Sequence, residues 1–204
     1  MGILEDKRRA RLFYRYLSLV YDRINPFIWT EEMRAEAVRL LDITDSDRVL
    51  DVGCGTGFGT AGLLQVTDDV VGIDQSPEQL ARARVKLDHT PAQFMLGDAE
   101  RLPYEDDTFD VVWSSGSIEY WPRPEATLRE LGRVCRAGGQ VLVVGPNAPK
   151  NRILRGIADR IMLFYDEEEA ESMFREAGFD RIEHHLMGPS YRPEIAITTV
   201  ARTP

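Results

Sequence analysis

Short apolar runs and amphipathic stretches alternate along most of this chain. The runs at Arg48–Val52, Val70–Asp74, Ala92–Leu96, Asp110–Ser114 and Gln140–Val144 are bounded by turn residues and read as strands. Helical stretches fall between them, at Gly59–Gln65, Pro77–Leu87 and Glu125–Val134. The stretch at Pro77 carries agreeing start signals: Ser76 suits the N-cap, Pro77 the first helical position and Gln79 the capping-box partner. Strands alternating with helices imply right-handed crossovers and a parallel sheet. Upstream, residues 5–21 predict a helix of mixed basic and aromatic character, broken at Asn25-Pro26. Thr30–Leu41 predicts a second, with Glu31 and Glu32 suited to its positive end. Gly138-Gly139 predicts a turn into the Gln140 strand. The tail differs. Asn151–Phe164 predicts an amphipathic helix, and Glu167–Ala177 another, closed by Gly178. Strands near Arg181–Leu186 and Ala196–Ala201 follow with only a loop of about ten residues between them, which suits an antiparallel pair.

The chemistry concentrates where the first of these strands ends. Val49 to Thr60 reads VLDVGCGTGFGT: a strand closing on Asp51, then glycine at 53, 55, 57 and 59. Glycine lets a backbone take φ > 0 and approach a ligand closely, here just before a helix whose free N–H groups face that ligand. A dinucleotide fingerprint would need glycine at position 58, which is Phe58, and a Walker loop would need Gly-Lys-Ser/Thr.

Composition narrows the class. At 204 residues, 43% hydrophobic and 29% charged, the chain has an ordinary globular make-up and length for a real core. A net charge of −9 argues against phosphate-backbone binding, so no nucleic-acid partner is expected. Lys7, Lys86 and Lys150 are the only lysines among 25 basic residues, a usage that suggests a high-GC or salt-adapted source. No apolar run approaches the ~20 residues that span a bilayer, and the N-terminus does not read as a signal peptide. Cys54 sits inside the glycine loop, so a disulfide with Cys135 is not expected and a reducing cytoplasm is. The histidines and cysteines have no metal-ligand spacing, and no metal is expected.

In open α/β sheets, ligands bind at the carboxyl ends of strands. Asp74 closes the second strand, where an acidic residue accepts from ribose hydroxyls. Gln75 follows it. Asp98, Ala99 and Glu100 follow the third strand, where a carboxylate can accept from an adenine amino group. Ser114 and Ser115 end the fourth, where backbone groups reach a ligand bound at the strand ends. Asp51 suits two roles: accepting from its own loop's N–H groups, or from a ligand's ammonium group. Asp74 also reads as an ordinary loop-starting residue with a solvated side chain, and Asp98 as an ordinary turn residue.

The glycine loop, with the acidic residues in that order, resembles the first motif of class I S-adenosylmethionine-dependent methyltransferases. Four further stretches resemble a narrower group: DQSPEQL at 74–80, GDAERLP at 97–103, SSGSIEYWP at 114–122 and MLFYDEEEAESMFREAGF at 162–179. Over roughly residues 48–190 the chain is similar to the 2-methyl-6-phytylbenzoquinol methyltransferases, and its YDRINPF segment to quinone and menaquinone methyltransferases more widely, with an archaeal-like relative suggested by the composition. The plant proteins of that group carry a plastid-targeting segment and a membrane anchor, neither of which is expected here, and Cys54 stands where their loop tends to have glycine.

The resemblance implies a Rossmann-like seven-stranded α/β sheet, mostly parallel with an antiparallel C-terminal strand and helices on both faces. Residues 1–44 would form a helical cap over the active site and 45–204 the cofactor domain. The cofactor implied is S-adenosyl-L-methionine, held by Asp51, Gly53, Cys54, Gly55, Thr56, Gly57, Asp74, Gln75, Asp98, Ala99, Glu100, Ser114 and Ser115. The reaction implied is C-methylation of a prenylated benzoquinol or naphthoquinol. Such an acceptor needs a base near its hydroxyl, for which Glu119 is the first candidate with Tyr120 beside it. Tyr21, Trp121 and His184 are the candidate acceptor contacts. Glu119 also reads as a cap of the next helix, Tyr120 and Trp121 as core, and the His184–His185 pair as solvated, with at most one of the two pointing inward. The Ile153–Phe164 face reads either as packing on the domain or as a transient membrane-surface contact of a cytoplasmic protein. The oligomeric state is open. The alternatives are methylation of another small molecule at carbon, oxygen or nitrogen, a non-catalytic binding module with this fold, and a dehydrogenase, which the residue at 58 disfavours.

Overall fold

The computed structural model describes residues 29–149, 151, 155–156, 163–189, 191 and 193–204. The helix expected over residues 5–21, Tyr21 within it, and most of the expected 151–164 helix lie outside these. Among the described residues the chain runs α1 (Glu31–Arg39), β1 (Val49–Val52), α2 (Phe58–Leu63), β2 (Val70–Asp74), α3 (Pro77–Lys86), β3 (Gln93–Leu96) and β4 (Phe109–Ser115). A 3-10 turn (Ile118–Tyr120), α4 (Pro124–Val134), β5 (Cys135–Pro146), α5 (Glu167–Glu176), β6 (Asp180–Met187) and β7 (Ala196–Arg202) complete it. The strands form one sheet in the order β3-β2-β1-β4-β5-β7-β6. Neighbours pair parallel from β3 to β5, and β7 runs antiparallel to both β5 and β6. This is the mostly parallel sheet with a reversed C-terminal strand that the alternation and the loop length predict.

Strand alternation sends side chains to two cores. Leu50 and Val52 of β1 join Leu128 and Leu131 of α4 and Phe174 of α5 on one face. Val49 of the same strand joins Met33 and Ala37 of α1 and Leu63 of α2 on the other. Fully burying each such side chain contributes roughly 1.5–3 kcal/mol, so helices cover both faces.

The caps follow local chemistry. Thr30 Oγ1 accepts from Met33 N–H at 3.2 Å to start α1. Asp166 and Glu169 form a reciprocal capping box on α5. Gly178, at φ +100°, closes that helix as expected, and Phe179 N–H returns to Phe174 O at 3.0 Å.

Three sequence expectations change. The box expected on α3 is only half made: Ser76 Oγ accepts from Gln79 N–H, while Gln79 Oε1 has no partner. The side chain turns toward the cavity described below instead. Gly138-Gly139 is not a plain turn before a strand. β5 already pairs Cys135 with Phe109, and the residues up to Gln140 bulge before pairing resumes at Val111. Gly138 takes φ +72° in that bulge, and its N–H donates to Thr203 O. Leu163 and Phe164 are not helical, because the chain there turns into a bridge between Tyr165 and Asn147.

Candidate active site

The carboxyl ends of β1, β2, β4 and β5 open onto one cavity of about 910 Å³. The loop after β1 builds its floor. Gly53 and Cys54 N–H both donate to Ile73 O, at 2.8 and 3.1 Å, which folds the loop across the end of β2. Gly53 takes φ +71°, and a Cβ there would stand 2.6 Å from Ser117 Cβ. Only glycine fits between the loop and the segment after β4. Gly55 takes φ +52° and has open space where a Cβ would go, so its bare backbone faces the cavity. Its N–H donates to Asp74 Oδ2 at 2.8 Å.

Asp74 is therefore held from two sides, with Oδ1 accepting from Ser76 N–H at 2.8 Å. Burial raises its pKa against those N–H groups, and Asp74 and Gln75 both line the cavity. Asp51, 1% exposed, accepts from the Thr60 hydroxyl at 2.7 Å. Burial pushes its carboxyl up to about 7, opposed by the Thr60 hydroxyl and N–H. Of its two expected roles, the partners within the chain are the hydroxyl and the N–H of Thr60 on α2, and Asp51 still borders the cavity. The Cys54 thiol is pushed well up, first by burial and then by the charges of Asp51 and Asp74. Thr56, Ala99 and Glu100 also line the wall, as does Asp98, whose Oδ1 accepts from Glu100 N–H. Glu100 pairs with Arg123 at 3.3 Å.

Past β4 the 3-10 turn brings Glu119, Tyr120 and Trp121 to the same cavity. All three are buried, as the core reading of the two aromatics expects, and all three line the cavity. Glu119 does not cap α4, where Arg123 occupies the N-cap position. Its Oε2 is buried with no hydrogen-bond partner, and burial pushes its carboxyl up to about 7.

Not every expected residue reaches the cavity. His184 is a correction: Nδ1 meets Thr199 Oγ1 at 3.0 Å and Nε2 meets Glu171 Oε2 at 3.1 Å, and α5 holds the ring off the cavity wall. Ser114 faces inward, with its hydroxyl on Val52 O at 2.9 Å, so only Ser115 of that pair is on the wall. Gly57 is the N-cap of α2, set against Leu87 rather than the opening. Tyr21 lies outside the described residues. The sequence reading missed Trp29, Gln79, Pro146 and residues 191–196 other than 192, which also line the cavity. Asn147–Pro149, in the segment after β5 expected to help form a pocket, line it as well. Residues 193–196 follow from β7 starting where β5 ends, since Ala196 pairs with Pro146.

Comparison with known proteins fits this geometry. A family model described as a methyltransferase domain matches residues 50–143. The chain is 45% identical to a chloroplastic rice protein, 2-methyl-6-phytyl-1,4-hydroquinone methyltransferase 2, over 92% of this chain and 55% of that one. It thus spans little more than half the length of that relative. It is 30% identical to a Staphylococcus saprophyticus demethylmenaquinone methyltransferase, over 73% of this chain and 67% of that one. A Thermotoga maritima SAM-dependent methyltransferase structure superposes with a TM-score of 0.73 at 20% identity, over 95% of this chain and 99% of that one. A family match running from β1 into β5, and relatives of one chemistry aligned well beyond it, lead to one conclusion: the chain belongs to the S-adenosylmethionine-dependent methyltransferases.

Proposed function

We propose that the protein transfers a methyl group to a ring carbon of a prenylated benzoquinol or naphthoquinol. The acceptor class is supported by the relatives, which are named for hydroquinone and demethylmenaquinone methylation. One observation carries the reading: a buried carboxylate with an unpartnered oxygen, Glu119, stands beside Tyr120 and Trp121 in the cavity that the glycine loop floors.

The residues present fit the cofactor, because the open space at Gly55 and the ring of strand-end carboxylates offer room and acceptors in one place. Bound there, S-adenosylmethionine supplies an electrophilic sulfonium methyl. In this assignment Asp74 accepts from the ribose hydroxyls, with Gln75 beside it. Asp98, Ala99 and Glu100 enclose the adenine. Asp51, Ser115 and the loop from Gly53 to Thr56 receive the amino-acid arm. Replacing Asp74 by alanine is expected to weaken S-adenosylhomocysteine binding by roughly 1.5–3 kcal/mol, the worth of charge-assisted hydrogen bonds. Calorimetry on the folded variant checks it, and unchanged affinity would remove the ribose role.

Glu119 acts as the base in this reading. Its carboxylate takes the proton of a ring hydroxyl, and the ortho carbon becomes nucleophilic. That carbon would take the sulfonium methyl as its bond to sulfur breaks, leaving S-adenosylhomocysteine, and the ring carbon's own proton would pass to solvent as aromaticity returns. Tyr120 and Trp121 offer aromatic faces that hold the ring in register, since alignment of two bound reactants removes much of the barrier. Of the 1–44 segment proposed as a cap, most lies outside the described residues; Trp29 lines the cavity, and α1 packs into the core beside α2. We further assign the protein to the cytoplasm, touching the membrane surface only to collect its acceptor. Among the described residues, no helix is long and apolar enough to cross a membrane.

The reduced ring is required, because the oxidised quinone has no hydroxyl to deprotonate. Each methylene-sized group of the tail that is buried should add about 0.8 kcal/mol of binding. A short-chain quinol should therefore react with a raised KM, and a tail-less hydroquinone poorly. Labelled cofactor with matched quinols and quinones tests both points. Equal labelling of quinol and quinone, or labelling only of tail-less soluble acceptors, would leave a methyltransferase of another small molecule.

A further inference from the structure

We propose that Tyr165 is a positioning residue for Glu119: its phenol hydroxyl, lodged against Gly145 beside the 3-10 turn, serves the buried Glu119 oxygen that nothing else satisfies. The consequence for catalysis rests on the reading of Glu119 as the base. The pairing itself does not.

The geometry begins with the backbone. Tyr165 N–H donates to Pro146 O at 3.4 Å, and Ala148 N–H donates to Tyr165 O at 3.0 Å. This places Tyr165 as an added bridge beyond the end of β5. Leu163 N–H donates to the Glu119 carbonyl at 3.5 Å, tying the same segment to the turn that carries the base. The Tyr165 side chain is 1% exposed. A Cβ at Gly145 would collide with its hydroxyl oxygen and with Ile118 of the turn. Only a glycine on β5 leaves the phenol this space.

The two groups are left over in complementary ways. Tyr165 Oη and Glu119 Oε2 are both buried, and neither has a hydrogen-bond partner. Buried orphan polar atoms are few in folded proteins, and a neighbouring donor and acceptor both left unpaired call for each other. Burial, with the Glu119 charge added, pushes the Tyr165 hydroxyl well up, so it stays protonated and can only help a carboxylate by donating. Joining them takes a side-chain rotation or a bridging water.

The other acids at the cavity are already served. Asp51 has Thr60, Asp74 has Gly55 and Ser76, Asp98 has the Glu100 N–H, and Glu100 has Arg123. Glu194, Tyr120, Tyr191 and Cys54 are the remaining titratable groups on the wall. The rise in the Glu119 pKa comes from burial, opposed by its own backbone N–H, and not from any of these charges. Tyr165 is thus the group whose removal should be felt at Glu119.

The test is Tyr165→Phe, which keeps the ring and removes the hydroxyl. Losing a donor to the carboxylate form raises the carboxyl pKa, by about one unit for a loss of ~1.4 kcal/mol. The acid limb of the kcat–pH profile should move up by about one unit. The rate should then fall about tenfold on that limb and recover at higher pH, with S-adenosylhomocysteine affinity kept. In a Glu119→Gln background, Tyr165→Phe should slow the enzyme no further. A merely structural role would lower the rate equally at every pH, and that outcome overturns the proposal. Infrared difference spectra, wild type minus Glu119→Gln, titrate the Glu119 carboxyl without any turnover. Repeating the subtraction with both chains carrying Tyr165→Phe should give a raised midpoint, and an unmoved midpoint overturns the pairing. If Glu119→Gln keeps the wild-type rate, the base reading fails, yet the infrared titration still decides whether Tyr165 serves Glu119. Placing 3-fluorotyrosine at 165 strengthens the donor while preserving the fold, and should move the midpoint down.

Discussion

Replacing Gly55 by valine should abolish S-adenosylhomocysteine binding in a chain that still folds. The missing Cβ at Gly55 meets nothing within 4 Å, so the new side chain does not collide with the protein. It fills the space over the loop that a ligand's closest approach requires. A local cost is expected as well, because φ is +52° there and a β-branched residue in that region costs of order 1–3 kcal/mol. Gly138 supplies the control. It takes φ +72° with equally open surroundings, but sits in the β5 bulge off the cavity wall. Gly138→Val should lose comparable stability and keep full affinity. Calorimetry and thermal melts on both variants separate strain from blockade. Normal binding by Gly55→Val would remove the loop as the cofactor cradle.

Changing Glu119 to glutamine keeps the shape and removes the basic group. As general base its loss should lower the methyl-transfer rate by roughly 10²–10⁴-fold, with cofactor affinity preserved. The wild-type rate should climb as pH rises through about 7, where the buried carboxyl loses its proton, and this limb should vanish in the variant. Stability moves the other way. The folded-state pKa lies above the unfolded value near 4.5, so the neutral form is the one that folding favours. That contribution is complete below pH 4.5 and is lost as pH rises through about 7. A shift of this size corresponds to about 3 kcal/mol. Glu119→Gln should therefore melt higher than wild type at pH 8 and close to it at pH 4. Asp51, raised for the same reason, keeps its own slope in both chains. A rate within a few-fold of wild type would make Glu119 structural.

What was legible in the sequence was mostly local. The βα alternation, the glycine loop and the acidic strand ends follow from periodicity and from where polar residues stop a strand. They place Asp51, Asp74, Asp98 and Glu119 at one cavity. The misses depend on contacts far apart in the chain. His184 looked free because Glu171 on α5 and Thr199 on β7 approach it only after the sheet has formed. Ser114 and Ser115 looked equivalent, although adjacent strand residues face opposite sides and only Ser115 borders the cavity. Tyr165 had no sequence signal of its own, since its position is set by the absence of a side chain at Gly145.

The last strand in the chain is not the last across the sheet. β7 lies between β5 and β6, so β6 has no hydrogen-bonded neighbour until β7 arrives. The half that carries the glycine loop and Asp74 has no such dependence. Its strands β1 to β4 pair with one another, and all of them leave the ribosome early. The opposite wall is shut only when Ala196 pairs with Pro146 and Asn147 N–H finds Ile195 O. A nascent chain halted before Ala196 therefore has the strand-end carboxylates of β1 and β2 without the wall that Ile195 and Ala196 close. Order of synthesis thus sets the strand-end carboxylates in place first and closes the cavity only with the final strand.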